Sequence, residues 1–476
     1  MRLQIVAPVL VDFHLVPGTA VVDEQAYSSF WTTVATSVAA EQQGASAAVA
    51  VEFPHTRAES PFNRYRTIST DSLQRSLSVV RWTLPVRGVL AGPPDDLPPD
   101  APSGPPSDAD LLIAGATSLE FDLRDHGIGL LMVDFGDVGP VLDSWGGSGP
   151  ENLDRLQAAA VAAGAHLARQ VHSDHVAPLV EQVRQLDRRG AIVLPALTGR
   201  GAGQVMWVAR ALLVTRGEPD LVPVVAHWTK DVPLDDGEPA PEERAQQEGH
   251  WHIARWLNYV YQRDPLAGSH GDDGFPTWFG DRWDAMCHAQ FFYAALDDVD
   301  TQLSEILATA LATDTVRELS SLRSSLERAA RRSHLVGMHL HDTSKHLKRS
   351  VDDEMQQVLD RWDLDGAVRG PVETKAALCR ERIEDLHSKR LTRSALYTDL
   401  ILMAIGVTSI VGTSVALADF GRRMASDSTM SVFDIGSGDL TSWFAAQPLD
   451  AIVLTSLVVS ACLIVVYVVL RRLHES

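Results

Sequence analysis

Four histidines crowd one predicted helix between residues 316 and 348, and they could bind a metal ion. They are His334, His339, His341 and His346. Neutral imidazole is a common ligand for zinc and related ions when several rings come together. At helical spacing, His334 and His341 share one side of the helix, so these two are the candidate metal ligands. The alternative is a solvated helix face that holds no metal.

The chain offers no sequence motif for nucleophilic catalysis. The serine pattern Gly-x-Ser-x-Gly does not occur, and the glycine-rich stretch from Thr198 to Gly203 lacks the lysine of a phosphate-binding loop. The three cysteines are widely spaced and suggest neither a disulfide framework nor a thiolate metal site. The sequence therefore predicts a protein that is not an enzyme, and it identifies no cofactor.

The charge balance bears on which partners the protein has. The 476 residues carry a formal net charge of −21. A nucleic-acid partner needs a basic surface, so the sequence predicts no nucleic-acid binding. An acidic surface is compatible with cations, although acidity alone usually serves solubility.

Residues 1–275 alternate between strand-like and helical patterns, which predicts an α/β (or α+β) cytoplasmic domain. A proline- and aspartate-rich stretch, residues 91–109, is typical of an extended, solvated loop. Strands are predicted at Leu3–Phe13, Ala45–Val51, Ser78–Leu84, Asp110–Ala116, Glu120–Leu123, Gly129–Phe135, Ala191–Leu197, Val205–Thr215 and Leu221–Trp228. Helices are predicted at Glu24–Ala40, Asn152–Leu186 and Gln246–Gln262.

Helical spacing dominates after this domain. Residues 276–370 are predicted to form a cytoplasmic helical hairpin, because leucines and valines recur at intervals of three and four. Residues 371–420 follow as one stalk helix, which would be about 75 Å long at 1.5 Å per residue. A single domain does not bury such a helix. We therefore expect coiled-coil packing against other helices, including those of other copies of the chain.

Two apolar runs near the C-terminus, Leu400–Ala418 and Ala451–Leu470, contain no charged residue. Each holds about 20 residues, which is the length that a membrane helix needs. The sequence therefore predicts two transmembrane helices, at about residues 398–420 and 449–472. The alternative is a pair of buried core helices. Between and after the predicted spans lie an extracytoplasmic loop and a cytoplasmic tail, residues 421–448 and 473–476.

Basic residues lie before the first apolar run and after the second. Lys389, Arg390 and Arg393 precede the first run, and Arg471 and Arg472 follow the second. Lysine and arginine concentrate on the cytoplasmic side of membrane proteins. The sequence therefore predicts a multi-pass protein of the cell (inner or plasma) membrane with both termini in the cytoplasm.

This layout resembles the CorA family of divalent-cation transporters and channels. The resemblance is carried by DLHSKRLTRSALYTDLILMAIGVTSIVGTSVALADFG and by the basic end YVVLRRLHES. It implies a homo-oligomer, usually a pentamer, with the first span around a central pore and Mg²⁺ as a permeant or regulatory ion. The family's Gly-Met-Asn signature is replaced here by Phe420, Gly421, Arg422 and Arg423. A ring of guanidinium groups repels divalent cations, so Mg²⁺ selectivity is not expected.

The resemblance places the pore on the first apolar run. One stripe of this run would line it, with a carboxylate at the cytoplasmic mouth: Asp399, Leu402, Ile405, Ser409, Thr413 and Ala416. Phe420 to Arg423 would form the outer mouth, and acids of the outer loop would gather cations, namely Asp427, Asp434 and Asp439. The alternative is that the small and hydroxyl residues serve helix packing.

The functional prediction is an oligomeric ion channel or transporter that the cytoplasmic domain gates and that conducts cations. Two alternatives stay open. One is a ligand-gated effector channel in stress or antiviral defence, and the other is a membrane-anchored cytoplasmic sensor without conduction. The predicted partners are further copies of the chain, membrane lipid and a small cytosolic ligand.

Overall fold

The computed structural model describes residues 1–15, 24–42, 49–52, 78–85, 107–187, 193–194, 201–218, 220–230, 239–266, 274–312, 319–426 and 446–475. The chain divides into two compact units. The first, called the α/β unit, comprises residues 1–313 and 320–380, and the second comprises residues 314–319 and 381–476.

An eight-stranded mixed sheet forms the centre of the α/β unit. The unit has ten described strands, of which eight form this sheet and two, β2 and β7, form a separate pair. They are β1 (Arg2–Leu10), β2 (His14–Leu15), β3 (Ala50–Glu52), β4 (Ser78–Leu84), β5 (Ser118–Arg124), β6 (Ile128–Asp137), β7 (Val193–Leu194), β8 (Ala209–Thr215), β9 (Trp251–Arg255) and β10 (Asn258–Arg263). The sheet order is β3-β4-β5-β6-β1-β8-β10-β9, and β2 pairs separately with β7. Only the β8–β10 pair is parallel among these strands.

Twelve helices are described along the chain. They are α1 (Glu24–Gln42), α2 (Asp108–Gly115), α3 (Gly139–Ser144), α4 (Pro150–Val171), α5 (Ala177–Leu186), α6 (Leu221–Trp228), α7 (Pro241–Ala245), α8 (Gly274–Ala312), α9 (Leu319–His346), α10 (Arg349–Arg361), α11 (Gly370–Ser426) and α12 (Leu449–Glu475). One π-helical turn, His172–Val176, joins α4 to α5, and another, Leu364–Arg369, precedes α11.

Helices cover both faces of the sheet at its central strand β1. Alternate side chains of a strand point to opposite faces. Ile5 faces α4, where its Cδ1 lies 3.0 Å from the position that a Cβ on Gly164 would take. Val6 pairs with Met132 of β6, and the Met132 sulfur lies 3.9 Å from the Cys287 sulfur of α8. The α/β unit is therefore three-layered, and the predicted α/β class is confirmed.

Several predicted elements are wrong in type. Asp110–Ala116 is not a strand but part of α2, because Ser107 and Asp110 form a capping box at the helix start. Leu221–Trp228 is the helix α6, and its buried residues recur at helical spacing. Gln246–Gln262 is not a helix. It contains β9 and most of β10, which pair as an antiparallel hairpin.

The helical half of the chain agrees more closely with the sequence patterns. Apart from the first residues of α8, helices α8 and α9 lie within the residues of the predicted hairpin, and α11, which contains the residues of the predicted stalk, runs without interruption from Gly370 to Ser426. Pro371 sits in the first turn of α11, where the missing N–H of proline does no harm.

The predicted transmembrane helices are the main correction. Among the described residues, no helix offers an apolar stretch long enough to cross a membrane. A span needs about 20 continuous apolar residues. For the part of the chain that the structure describes, the predicted membrane spans, the membrane-protein class and the cell-membrane localisation are wrong.

Candidate metal centre

The turn between β5 and β6 places an acid and a histidine side by side. Asp125 and His126 follow the last residue of β5, and Gly127 leads into β6. His126 has a φ of 63° and Gly127 a φ of 74°, so both residues adopt the left-handed backbone conformation. For a residue with a Cβ, this conformation costs about 1–2 kcal/mol. The backbone N–H of His126 donates to Asp125 Oδ1 at 2.6 Å, which helps to hold the turn.

A second histidine reaches this turn from α9. His126 Nε2 and His339 Nδ1 lie 2.8 Å apart, and the ring centroids are separated by 4.8 Å. One of these nitrogens donates its proton and the other accepts it. Donor atoms of Asp125, His126 and His339 all lie within 4.8 Å of one another. The side chain of His126 is buried, with an exposed fraction of 3%.

Arg332 holds the backbone of the same turn. Its Nη2 donates to the carbonyl oxygen of His126, and its Nη1 donates to Asp298 Oδ2 of α8. Asp298 also accepts a hydrogen bond from Gln302 Nε2 at 2.9 Å. Arg332 precedes His339 by two helical turns, so both lie on one side of α9. A single helix therefore contacts both the ring and the carbonyl of His126.

The surroundings keep His126 in the form that binds metal. Burial lowers the pKa of His126 to about 4, and the nearby His339 and Arg332 act in the same direction against the opposing charge of Asp125. The imidazole is therefore neutral at physiological pH. A neutral imidazole has a free lone pair for a metal, whereas imidazolium has none.

The donor set fits a divalent transition metal better than Mg²⁺. Two imidazole nitrogens and a carboxylate are ligands of zinc and of ferrous iron, whereas Mg²⁺ prefers oxygen ligands and water. Ligand atoms around a tetrahedral zinc are about 3.3 Å apart for bonds of about 2.0–2.1 Å. The distance of 2.8 Å between His126 Nε2 and His339 Nδ1 must therefore lengthen slightly, and Asp125 must move closer, before all three residues can bind one ion.

The candidate ligands predicted from the sequence lie elsewhere on α9. His334 and His341 are both exposed, and neither belongs to the group that Asp125, His126 and His339 form. Sequence reasoning placed His339 on the other side of the helix and missed the turn entirely. The available signal was the Asp-His-Gly tripeptide between two predicted strands, because its glycine marks a turn that brings a carboxylate and an imidazole side by side.

The residues predicted to line a pore form one side of α11. Leu402, Ile405, Ser409, Thr413 and Ala416 are exposed, and Asp399 is half-buried. The Thr413 hydroxyl donates to the carbonyl of Ser409 at 2.7 Å, within the helix. The described structure thus keeps the stripe on one face, but no contact identifies a ligand for it.

The predicted outer mouth is described in part. Phe420 and Gly421 belong to α11, and the Phe420 side chain is exposed. Arg422 Nη2 donates to the carbonyl of Gln447 at 2.8 Å, and Arg423 pairs with Asp419 at 2.9 Å. The predicted outer-loop acids lie outside the described residues: Asp427, Asp434 and Asp439.

Comparisons with known proteins leave the family open. The chain matches no family model, no curated protein and no solved structure. The resemblance to the CorA family therefore stays a prediction from the sequence.

Proposed function

We propose that this chain is a metal-responsive regulatory protein whose α/β unit binds one divalent transition-metal ion through Asp125, His126 and His339. The contact between His126 and His339 supports this most directly. A buried and a half-buried imidazole, from residues 213 positions apart, bring their nitrogens to 2.8 Å beside a carboxylate. The bound ion would tie the β5–β6 turn to α9. Metal concentration would thereby set how firmly this helix is held to the sheet.

Ion conduction is not part of this proposal. It requires membrane spans, and the described helices do not provide them. Gating by a ligand and assembly into a pentamer remain predictions from the sequence that no finding tests. The proposed metal centre retains the sensor role from the alternatives that the sequence left open. It assigns ligand binding to Asp125, His126 and His339.

The experiment is a calorimetric titration of the purified, metal-stripped full chain with Zn²⁺, Co²⁺ and Mg²⁺. We expect one Zn²⁺ or Co²⁺ per chain and no competition from millimolar Mg²⁺. The variants His126→Ala and His339→Ala should lose this binding. His334→Ala and His341→Ala are matched controls on the same helix and should retain it. Zn²⁺ binding that survives both His126→Ala and His339→Ala would overturn the proposal.

A further inference from the structure

Arg332 of α9 is buried beside the candidate ligands and contacts two other elements. Its exposed fraction is 4%. Its Nη2 donates to the carbonyl oxygen of His126 in the β5–β6 turn, and its Nη1 donates to Asp298 Oδ2 of α8. One guanidinium group therefore joins the turn, α8 and α9 at a single point.

The guanidinium group divides its hydrogen bonds between an acid and the turn. An arginine–carboxylate pair is strongest when two parallel N–H groups bind the two carboxylate oxygens. Here Nη1 donates to Asp298, whereas Nη2 donates to the backbone of His126. The buried Nε of Arg332 has no hydrogen-bond partner among the described residues, and such a buried N–H is costly. The observed orientation therefore favours the contact with the turn over an optimal ion pair.

The turn is held at two consecutive carbonyl groups. The carbonyl of His126 accepts from Arg332, and the carbonyl of Gly127 accepts from the Val11 N–H at 2.8 Å. His126 has a φ of 63°, a strained conformation that persists only when its surroundings hold it. Since the ring of His126 leaves the same residue, fixing this backbone also fixes where the ring points.

The contacts of His126 with α9 occur at both its backbone and its ring. Arg332 and His339 are seven residues apart on α9, so they lie on one side of the helix, two turns apart. Arg332 binds the carbonyl of His126, and His339 Nδ1 lies 2.8 Å from its Nε2. A shift of the turn along α9 would break both contacts together.

We infer that Arg332 is a positioning residue of the metal centre, which holds the backbone of His126 so that the rings of His126 and His339 face one ion. This inference rests on the proposed function. Arg332 is cationic and is not itself a metal ligand. Groups outside the ligand set that orient the ligands change metal affinity by about 10–100-fold when they are removed.

The test is the binding of Co²⁺ to the full chain, followed by its visible absorption at a temperature where each variant is folded. Arg332→Met should weaken Co²⁺ affinity by about tenfold or more and change the shape of the absorption bands, because the ligand geometry is altered. Arg332→Lys retains the charge but offers one nitrogen in place of two. It should restore part of the affinity and remain about threefold weaker than the wild type.

Leu326→Ala is the matched control on the same helix. Leu326 is buried, with an exposed fraction of 6%, so its truncation also destabilises the fold. It removes none of the hydrogen bonds of Arg332. The folded Leu326→Ala protein should therefore retain the Co²⁺ affinity and the absorption bands of the wild type.

Wild-type affinity and bands in folded Arg332→Met would overturn the inference. An equal loss of affinity in Leu326→Ala would overturn it as well, because the loss would then follow stability alone. If Arg332→Met does not fold, Arg332→Lys decides, and wild-type affinity in that variant would overturn the inference. A wild-type chain that binds no Co²⁺ would instead remove the proposed function.

Discussion

His126 Nε2 and His339 Nδ1 lie 2.8 Å apart although 213 residues separate them in the chain. The first belongs to a strained turn at the end of β5, and the second belongs to a helix that begins at Leu319. Arg332, on the same helix, donates to the carbonyl of His126. The turn and α9 are thus fastened together by a ring contact and a backbone contact.

Metal should stabilise the wild-type chain measurably. A ligand that binds only the folded state adds about 2.7 kcal/mol to the free energy of unfolding at one hundred times its Kd. We expect added Zn²⁺ to raise the Tm and a chelator to reverse the rise. The double variant His126→Ala/His339→Ala should show no Zn²⁺-dependent change. Thermal melting at several Zn²⁺ concentrations measures this, and an equal rise in the double variant would contradict it.

The buried pair of Arg332 and Asp298 should contribute strongly to stability. Both side chains are almost fully buried. Arg332→Met removes the cationic partner of the buried Asp298 carboxylate, and we expect a loss of about 3–5 kcal/mol in the free energy of unfolding. Urea unfolding measures the loss.

An exposed ion pair on the same helix provides the control for Arg332. Arg323 Nε lies 3.0 Å from Glu327 Oε1, and both side chains are more than half exposed. Arg323→Met should change the free energy of unfolding by less than about 1 kcal/mol. Similar effects of Arg332→Met and Arg323→Met would show that the buried pair is not what holds α9 to the turn.

Gly127 should tolerate alanine poorly for two reasons. Its φ of 74° is unfavourable for any residue with a Cβ, and the new methyl group would overlap the ring of His14. We expect Gly127→Ala to cost about 2–3 kcal/mol in the free energy of unfolding. Gly217→Ala is the control, because Gly217 has a φ of 89° but no atom within 4 Å of the added Cβ. Only the backbone strain should appear there, so equal losses would argue against the packing of His14 on the turn.

Glu354 should give stability a pH dependence below its ordinary pKa. Its carboxylate lies 2.5 Å from His252 Nε2 and 3.3 Å from Arg282 Nε. Burial opposes the charge of Glu354, but the His252 hydrogen bond and the charges of His252, Arg282 and Arg361 outweigh it, so the pKa is lowered from 4.5. A lowered carboxyl pKa stabilises the fold above about pH 4.5, and this contribution is lost as the pH falls through the lower value of the folded state.

Glu354→Gln isolates this contribution. At pH 7 we expect it to reduce the free energy of unfolding by about 2 kcal/mol, since it removes a charged hydrogen-bond acceptor from a buried site. The difference from wild type should shrink as the pH falls below about 4.5, in urea titrations at a series of pH values. Asp353→Asn, at an exposed position on the same helix, should have little effect at any pH. A difference for Glu354→Gln that does not change with pH would be inconsistent with a lowered pKa.

Regular side-chain patterns were enough to predict several helices and strands. Ser78–Leu84 alternates between apolar and polar residues and forms β4 with the predicted bounds, and the leucine spacing after residue 282 forms α8 and α9. The prediction of a strand at Leu221–Trp228 failed, because a short apolar run rich in valine is compatible with a strand and with a helix. The prediction of membrane spans from the apolar runs failed as well.

The candidate metal centre follows from packing between distant parts of the chain. Asp125 and His126 are neighbours in sequence, but nothing local shows that His339 approaches them. The helix periodicity of α9 favoured His334 and His341, which the fold leaves exposed. Periodicity reports which side chains share a face of one element. Which face meets which turn depends on how the sheet, α8 and α9 bury their apolar surfaces together, and that packing joins residues from distant parts of the chain.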